Sequence, residues 1–169
     1  PIAKTVTGDD GTTMAYDKLL LATGSSAWMP PMAGVDLDGV FVFRTLDDTR
    51  ELLRRSGPGV KAVVIGGGLL GLEAARGLQV QGCDVTVVHI APTLMERQLD
   101  LTGGSYLLGK VQALGVRVLL ERKTSAILGD GRVAGVQFGD GSRIDADLVV
   151  VAAGIRPNVD LAQRAGLTV

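Results

Sequence analysis

A chain of 169 residues with a formal net charge of −1 can bury one core and a small second lobe. Its balanced charge excludes a binder that relies on a basic face for nucleic acid or a membrane surface. One cysteine and one histidine exclude an intrachain disulfide framework and most zinc-site or nucleophilic-triad chemistry. No apolar run approaches the ~20 residues of a membrane span, and Val, Leu, Ala and Gly dominate, as in buried parallel strands covered by helices.

The N-terminus, Pro1-Ile2-Ala3-Lys4-Thr5-Val6, shows no signal-peptide pattern and reads as a strand entered midway. The absence of an initiator Met suggests an excised piece, and the expected location is cytoplasmic. Residues 3–7 and 12–15 are strand candidates joined through Gly8-Asp9-Asp10-Gly11, a hairpin signal. Leu19-Leu20-Leu21-Ala22 predicts an apolar strand that opens into the small residues Thr23-Gly24-Ser25. Residues 26–40 have the Pro and Gly content of a linker, and Val40–Phe43 predicts a short strand. Thr45 or Asp47 can cap a helix from about Asp48 to Arg55, with Leu46, Leu52 and Leu53 inward.

The rest of the chain is organised around residues 62–89. Ala62-Val63-Val64-Ile65 predicts a fully buried parallel strand. A helix from Leu69 to about Gln81 follows, with an apolar stripe of Leu69, Leu72, Ala75, Leu78 and Val80. Gly82 stops it before a second strand, Val85–Val88. Between strand and helix, Gly66, Gly68 and Gly71 have the G-x-G-x-x-G spacing. Gly66 permits the tight turn, Gly68 lets a pyrophosphate approach the backbone, and Gly71 lets the helix press on the strand. The helix N-terminus then offers unpaired N–H groups and a partial positive charge to the phosphates. Such a unit usually carries an acid about 20 residues on, accepting from the ribose 2′-OH. Here that position holds His89. A neutral imidazole can bond a hydroxyl, and a protonated one tolerates a 2′-phosphate. Arg97 is a further candidate for a phosphate, so both NAD and NADP remain open.

Beyond His89, a helix is predicted from about Leu99 or Thr102 to Ala113, then a third parallel strand at Val116–Leu120. Leu94, Met95, Leu107, Leu108 and Val111 are assigned to the core. Ser125–Leu128, Arg132–Phe138 and Ser142–Ile144 alternate with Gly-Asp-Gly turns and form an antiparallel meander. Asp130 and Asp140 serve those turns rather than acid–base chemistry, and Cys83 is a small core residue. Ala146–Gly154 is another buried strand whose exit, Gly154, is expected near the nicotinamide half of a dinucleotide. A short helix, Leu161–Ala165, closes the chain.

The ordered segments Leu20–Ser25, Pro31–Val35, Phe43–Asp48, Val64–Glu73 and Ala153–Asn158 resemble the pyridine nucleotide-disulfide oxidoreductase superfamily, FAD-dependent NAD(P)H reductases with two nested dinucleotide-binding domains. Within it, Val88-His89 and Pro92–Asp100 are similar to large-subunit NAD(P)H nitrite reductases and rubredoxin reductases. The resemblance implies an α/β fold: a Rossmann-like three-layer nucleotide-binding domain with a β-meander, flanked by strands of an incomplete FAD domain. It divides the chain into an FAD-domain remnant and linker (1–45), an NAD(P)H domain (46–153) and a return segment (154–169).

By the same resemblance Gly66, Gly68, Leu69, Leu70 and Gly71 hold the pyrophosphate, and His89 lies by the adenosine ribose. Glu73 and the Gly154-Ile155 turn face the nicotinamide, although Glu73 also suits a solvated first-turn acid. No catalytic residue and no metal ligand are expected in this chain. The implied cofactors are NAD(H), with NADP possible, and FAD in the full-length parent alone. The implied partners are the parent's FAD and redox-acceptor domains, with no nucleic acid and no membrane. The family's flavin-binding glycine loop, its later Gly-Asp motif and paired redox cysteines do not occur in this sequence. The chain alone is therefore expected to be inactive and not to retain FAD.

Overall fold

The computed structural model describes residues 2–169; Pro1, the first residue of the expected N-terminal strand, lies outside them. The described chain falls into two units. One takes the chain up to Ser26 together with Arg156–Val169, and the other spans Ala27–Ile155.

In the smaller unit, β1 (Thr5–Thr7) and β2 (Thr13–Ala15) form the predicted hairpin, with Val6 opposite Met14. The predicted strand at Leu19–Ala22 is not formed: the segment is irregular, and Leu20 lies almost wholly in solvent. An apolar strand needs hydrogen-bonding neighbours and a covering layer. Among the described residues none pairs with this one, and the strand forms later, as β3 (Ser25–Ala27). β3 pairs with β12 (Ile155–Pro157), at the points where the chain passes between units. Thr23 and Ser26 hydrogen-bond Asn158, and α4 (Asp160–Arg164) follows.

The larger unit has three layers. Its centre is a five-stranded parallel sheet in the order β4 (Val40–Val42), β11 (Leu148–Val151), β5 (Lys61–Ile65), β6 (Asp84–Val88), β7 (Arg117–Leu119). The strands read as continuous apolar runs because both faces are covered. Val64, Val85, Val87 and Val150 pack against the helices α1 (Leu46–Arg55), α2 (Leu69–Val80) and α3 (Leu101–Ala113). Val63, Val88, Val149 and Val151 pack against the meander β8 (Thr124–Asp130), β9 (Arg132–Phe138), β10 (Arg143–Asp145). Each such buried valine contributes roughly 1.5–3 kcal/mol by leaving water.

Helix α1 starts two residues before the expected Asp48. Thr45 Oγ1 accepts from the Asp48 N–H while Asp48 Oδ2 accepts from the Thr45 N–H, a reciprocal cap. Of its three leucines Leu52 alone is buried; Leu46 and Leu53 are exposed, since α1 covers the sheet edge along one narrow stripe. In α2 the expected stripe is also shifted. Leu69 and Val80 face solvent, while Gly71, Ala74, Ala75 and Leu78 are buried, because small residues bring this helix close to β5. Cys83 is buried as expected, its Sγ accepting the Gly57 N–H at 3.4 Å. Asp140 closes its turn by accepting the Ser142 N–H at 3.0 Å.

Candidate functional site

The parallel register brings the C-terminal ends of β5, β6 and β11 to one edge of the larger unit, with Ile65 beside both Val88 and Val151. At that edge the chain turns through Gly66-Gly67-Gly68 into α2. Gly66 sits at φ +126°, a conformation an L side chain rarely adopts, and a Cβ there would lie 2.3 Å from the Ala152 carbonyl oxygen. A Cβ at Gly71 would lie 1.9 Å from the Gly66 carbonyl oxygen, so helix and loop touch backbone to backbone. Gly68 differs: an added Cβ meets nothing within 4 Å. It is also the N-cap of α2, with no side chain to satisfy the first turn. The N–H groups of Leu69, Leu70 and Gly71 have no intrahelical acceptor by position. Open space over bare amides at a helix N-terminus is a cradle for an anionic group, and it fits a dinucleotide's diphosphate.

The predicted Gly154-Ile155 turn reaches the same edge. Gly154, at φ +125° with open space around it, follows β11 three residues after Val151, and Ile155 beside it is half-exposed. Glu73 is exposed on the second turn of α2, beside a shallow apolar groove lined by Phe43, Leu52 and Leu78.

His89 departs from the expectation of a side chain offered to a ligand. It is buried, 7% exposed, and both ring nitrogens are engaged. Nδ1 accepts the Gly67 N–H at 3.0 Å, and Nε2 lies 2.9 Å from Glu96 Oε2. A backbone N–H can only donate, so Nδ1 is unprotonated and the Nε2–H donates to the carboxylate. The imidazole has no nitrogen left for a ribose hydroxyl. Partial burial pushes the Glu96 carboxyl up, but the His89 hydrogen bond, its own backbone amide and nearby positive charge outweigh this and hold it below its ordinary value.

Gly67, Met95 and Glu96 are the residues that sequence reasoning missed. A Cβ on Gly67 would come within 2.7 Å of both the His89 ring and Leu94, which is fully buried. The Gly67 carbonyl accepts the Met95 N–H at 3.1 Å, so both polar groups of this residue are held by the 89–96 segment. The usable signal was a negative one: a strand end without its acid asks where another acid enters. Among the described residues, no group of three His, Cys, Asp or Glu side chains could hold a metal ion, and no helix is long and apolar enough to cross a membrane.

The family model for pyridine nucleotide-disulphide oxidoreductases matches residues 2–169. The chain belongs to that family. Within this family it is 52% identical, over 98% of its length, to the nitrite reductase [NAD(P)H] of Bacillus subtilis, of which it covers 21%. The ferredoxin reductase for the CYP199A2 system of Rhodopseudomonas palustris superposes with a TM-score of 0.89 at 34% identity, over 99% of this chain and 42% of that one. An FAD-dependent pyridine nucleotide-disulphide oxidoreductase from Desulfovibrio vulgaris gives 0.81 at 37% identity, over 99% and 44%. The chain thus spans about a fifth of the curated relative's length and under half of the solved ones.

Proposed function

We propose that this chain is the NAD(P)H-binding portion of a flavin-dependent oxidoreductase, most like the large-subunit nitrite reductases. The observation that carries the proposal is the open cradle at Gly68, built where three parallel strands end and α2 begins. Gly66 and Gly71 shape the turn by backbone contact, and the amides of Gly68, Leu69, Leu70 and Gly71 face the diphosphate. The Gly154-Ile155 turn, on the far side of Gly66 from β6, borders the nicotinamide half, with Glu73 a further group on that side. A dinucleotide held on these amides would supply a hydride for a flavin of the parent, and this chain's contribution is its orientation. No residue of this chain is assigned to the flavin diphosphate, because its sequence has a single strand–glycine loop–helix unit of this kind.

Identity of 52% to a nitrite reductase, against 40% to a dioxygenase's ferredoxin reductase component and 36% to a rubredoxin-NAD(+) reductase, supports a nitrite-reducing parent over a ferredoxin- or rubredoxin-linked one. The parent's remaining domains supply the flavin and the electron acceptor, and NADH is the favoured nucleotide. Calorimetric titration of the chain with NADH and NADPH tests binding. Anaerobic addition of NADH to the full-length parent, followed by flavin absorbance, tests hydride transfer. Tight binding with an unbleached flavin would instead support a nucleotide-binding module without redox turnover.

A further inference from the structure

The adenosine end of the cradle lacks an acid on its strand, yet an acid is there. His89 directly follows β6, where this fold places the group that reads the adenosine ribose. The imidazole is closed off, and what it presents outward is Glu96, whose side chain is 40% exposed while the His89 side chain is 8% exposed. The segment carrying Glu96 is fixed on several sides. Thr93 and Leu94 are buried beneath it. The Met95 N–H donates to Gly67, and the Met95 carbonyl accepts from Gln98 and Leu99. Met95 is held at φ +53°, a left-handed conformation that a side chain of this size adopts only where its surroundings enforce it.

We infer that Glu96, positioned by His89, is the residue that reads the adenosine ribose: its carboxylate accepts the 2′-hydroxyl of NADH and repels the 2′-phosphate of NADPH. This rests on the dinucleotide-binding reading above. It moves the acid from the strand end to a loop seven residues later, with the histidine as the spacer that restores its place. It also links the two halves of the subsite. The chain of bonds from Glu96 through His89 to the Gly67 N–H means that whatever seats the carboxylate also sets the glycine loop. Arg97, the exposed neighbour, is the one adjacent cation in sequence and would otherwise invite a phosphate.

The test is a pair of dissociation constants, for NADH and NADPH, on wild type, Glu96→Gln and His89→Asn at one ionic strength, with thermal melting of each. Wild type is expected to prefer NADH by at least tenfold. Glu96→Gln removes the charge at an exposed position; NADH should weaken about three- to tenfold while NADPH tightens, so the preference falls by about tenfold or more. His89→Asn keeps an acceptor near the Gly67 N–H but cannot reach Glu96, and should lower the preference about threefold. Opposite movements for the two nucleotides distinguish this role from a structural one. If Glu96→Gln shifts both nucleotides equally, or neither, the inference is overturned while dinucleotide binding stands. If His89→Asn melts like wild type and leaves the preference intact, the positioning role is overturned. If wild type binds neither nucleotide, the dinucleotide reading fails and takes this inference with it.

Discussion

Replacing Gly68 by Ala separates ligand binding from folding, because the structure gives the new methyl group nothing of the protein to strike. The backbone there is extended, φ −86° and ψ −173°, which any residue adopts, and an added Cβ has no neighbour within 4 Å. Ala is a poorer N-cap than Gly, while its narrower unfolded ensemble favours folding, so stability should change by no more than about 1 kcal/mol. A bound diphosphate, by contrast, would meet the methyl group at the amides it needs. Losing one charge-assisted hydrogen bond costs about 1.5–3 kcal/mol, or a roughly ten- to hundredfold weaker Kd for NADH. Gly71→Ala is the contrasting variant. Its Cβ would lie 1.9 Å from the Gly66 carbonyl oxygen, so backbone must move by more than 1 Å on either side of the contact. That change should cost about 3 kcal/mol, lower the Tm by roughly 6–12 °C, and abolish binding as well. Calorimetric titration with NADH and thermal melting, run on both variants, give the two readouts. An unchanged NADH affinity in Gly68→Ala would show that the diphosphate does not sit on this loop.

Asp100 caps α3 through its Oδ1, which accepts the Gly103 N–H at 2.7 Å; Asp100→Ala should cost about 1 kcal/mol in a urea melt and leave NADH affinity within twofold. The carboxyls of Asp145, hydrogen-bonded to Lys61, and Asp38, hydrogen-bonded to Arg55, lie below their ordinary value of 3.8 in the folded chain. Their stabilisation is therefore complete above that value and lost as pH falls below it, so the urea midpoint should hold steady near neutrality and decline below about pH 4, less steeply in Asp145→Asn. The Lys61 ammonium is raised above 10.5 by the same bond, so the pair also weakens as pH rises past that value. Finally, the purified chain should show no stoichiometric flavin absorbance, and a flavin spectrum at one equivalent would refute the assignment of FAD to the parent's other domains.

The glycine spacing, the apolar runs of β5, β6 and β11, and the Gly-Asp turns of the meander were legible in the sequence because each is a local requirement: a turn without side chains, a strand buried on both faces, a hairpin reversal. The sequence alone thereby determined an α/β unit and the place of its glycine turn, where we propose that a diphosphate binds. What it could not determine were outcomes that depend on partners distant along the chain. Leu19–Leu21 has the composition of a strand but no neighbour to pair with, so it stays irregular. The face of α2 that is buried was decided by how closely Gly71 and Ala74 approach the sheet, not by where the leucines lie. His89 carries the letter of a ligand-binding residue, but tertiary packing turned both of its nitrogens inward, to Gly67 and to Glu96. A side chain's chemistry is available only at the atoms its neighbours leave unbonded, and that accounting is made in three dimensions.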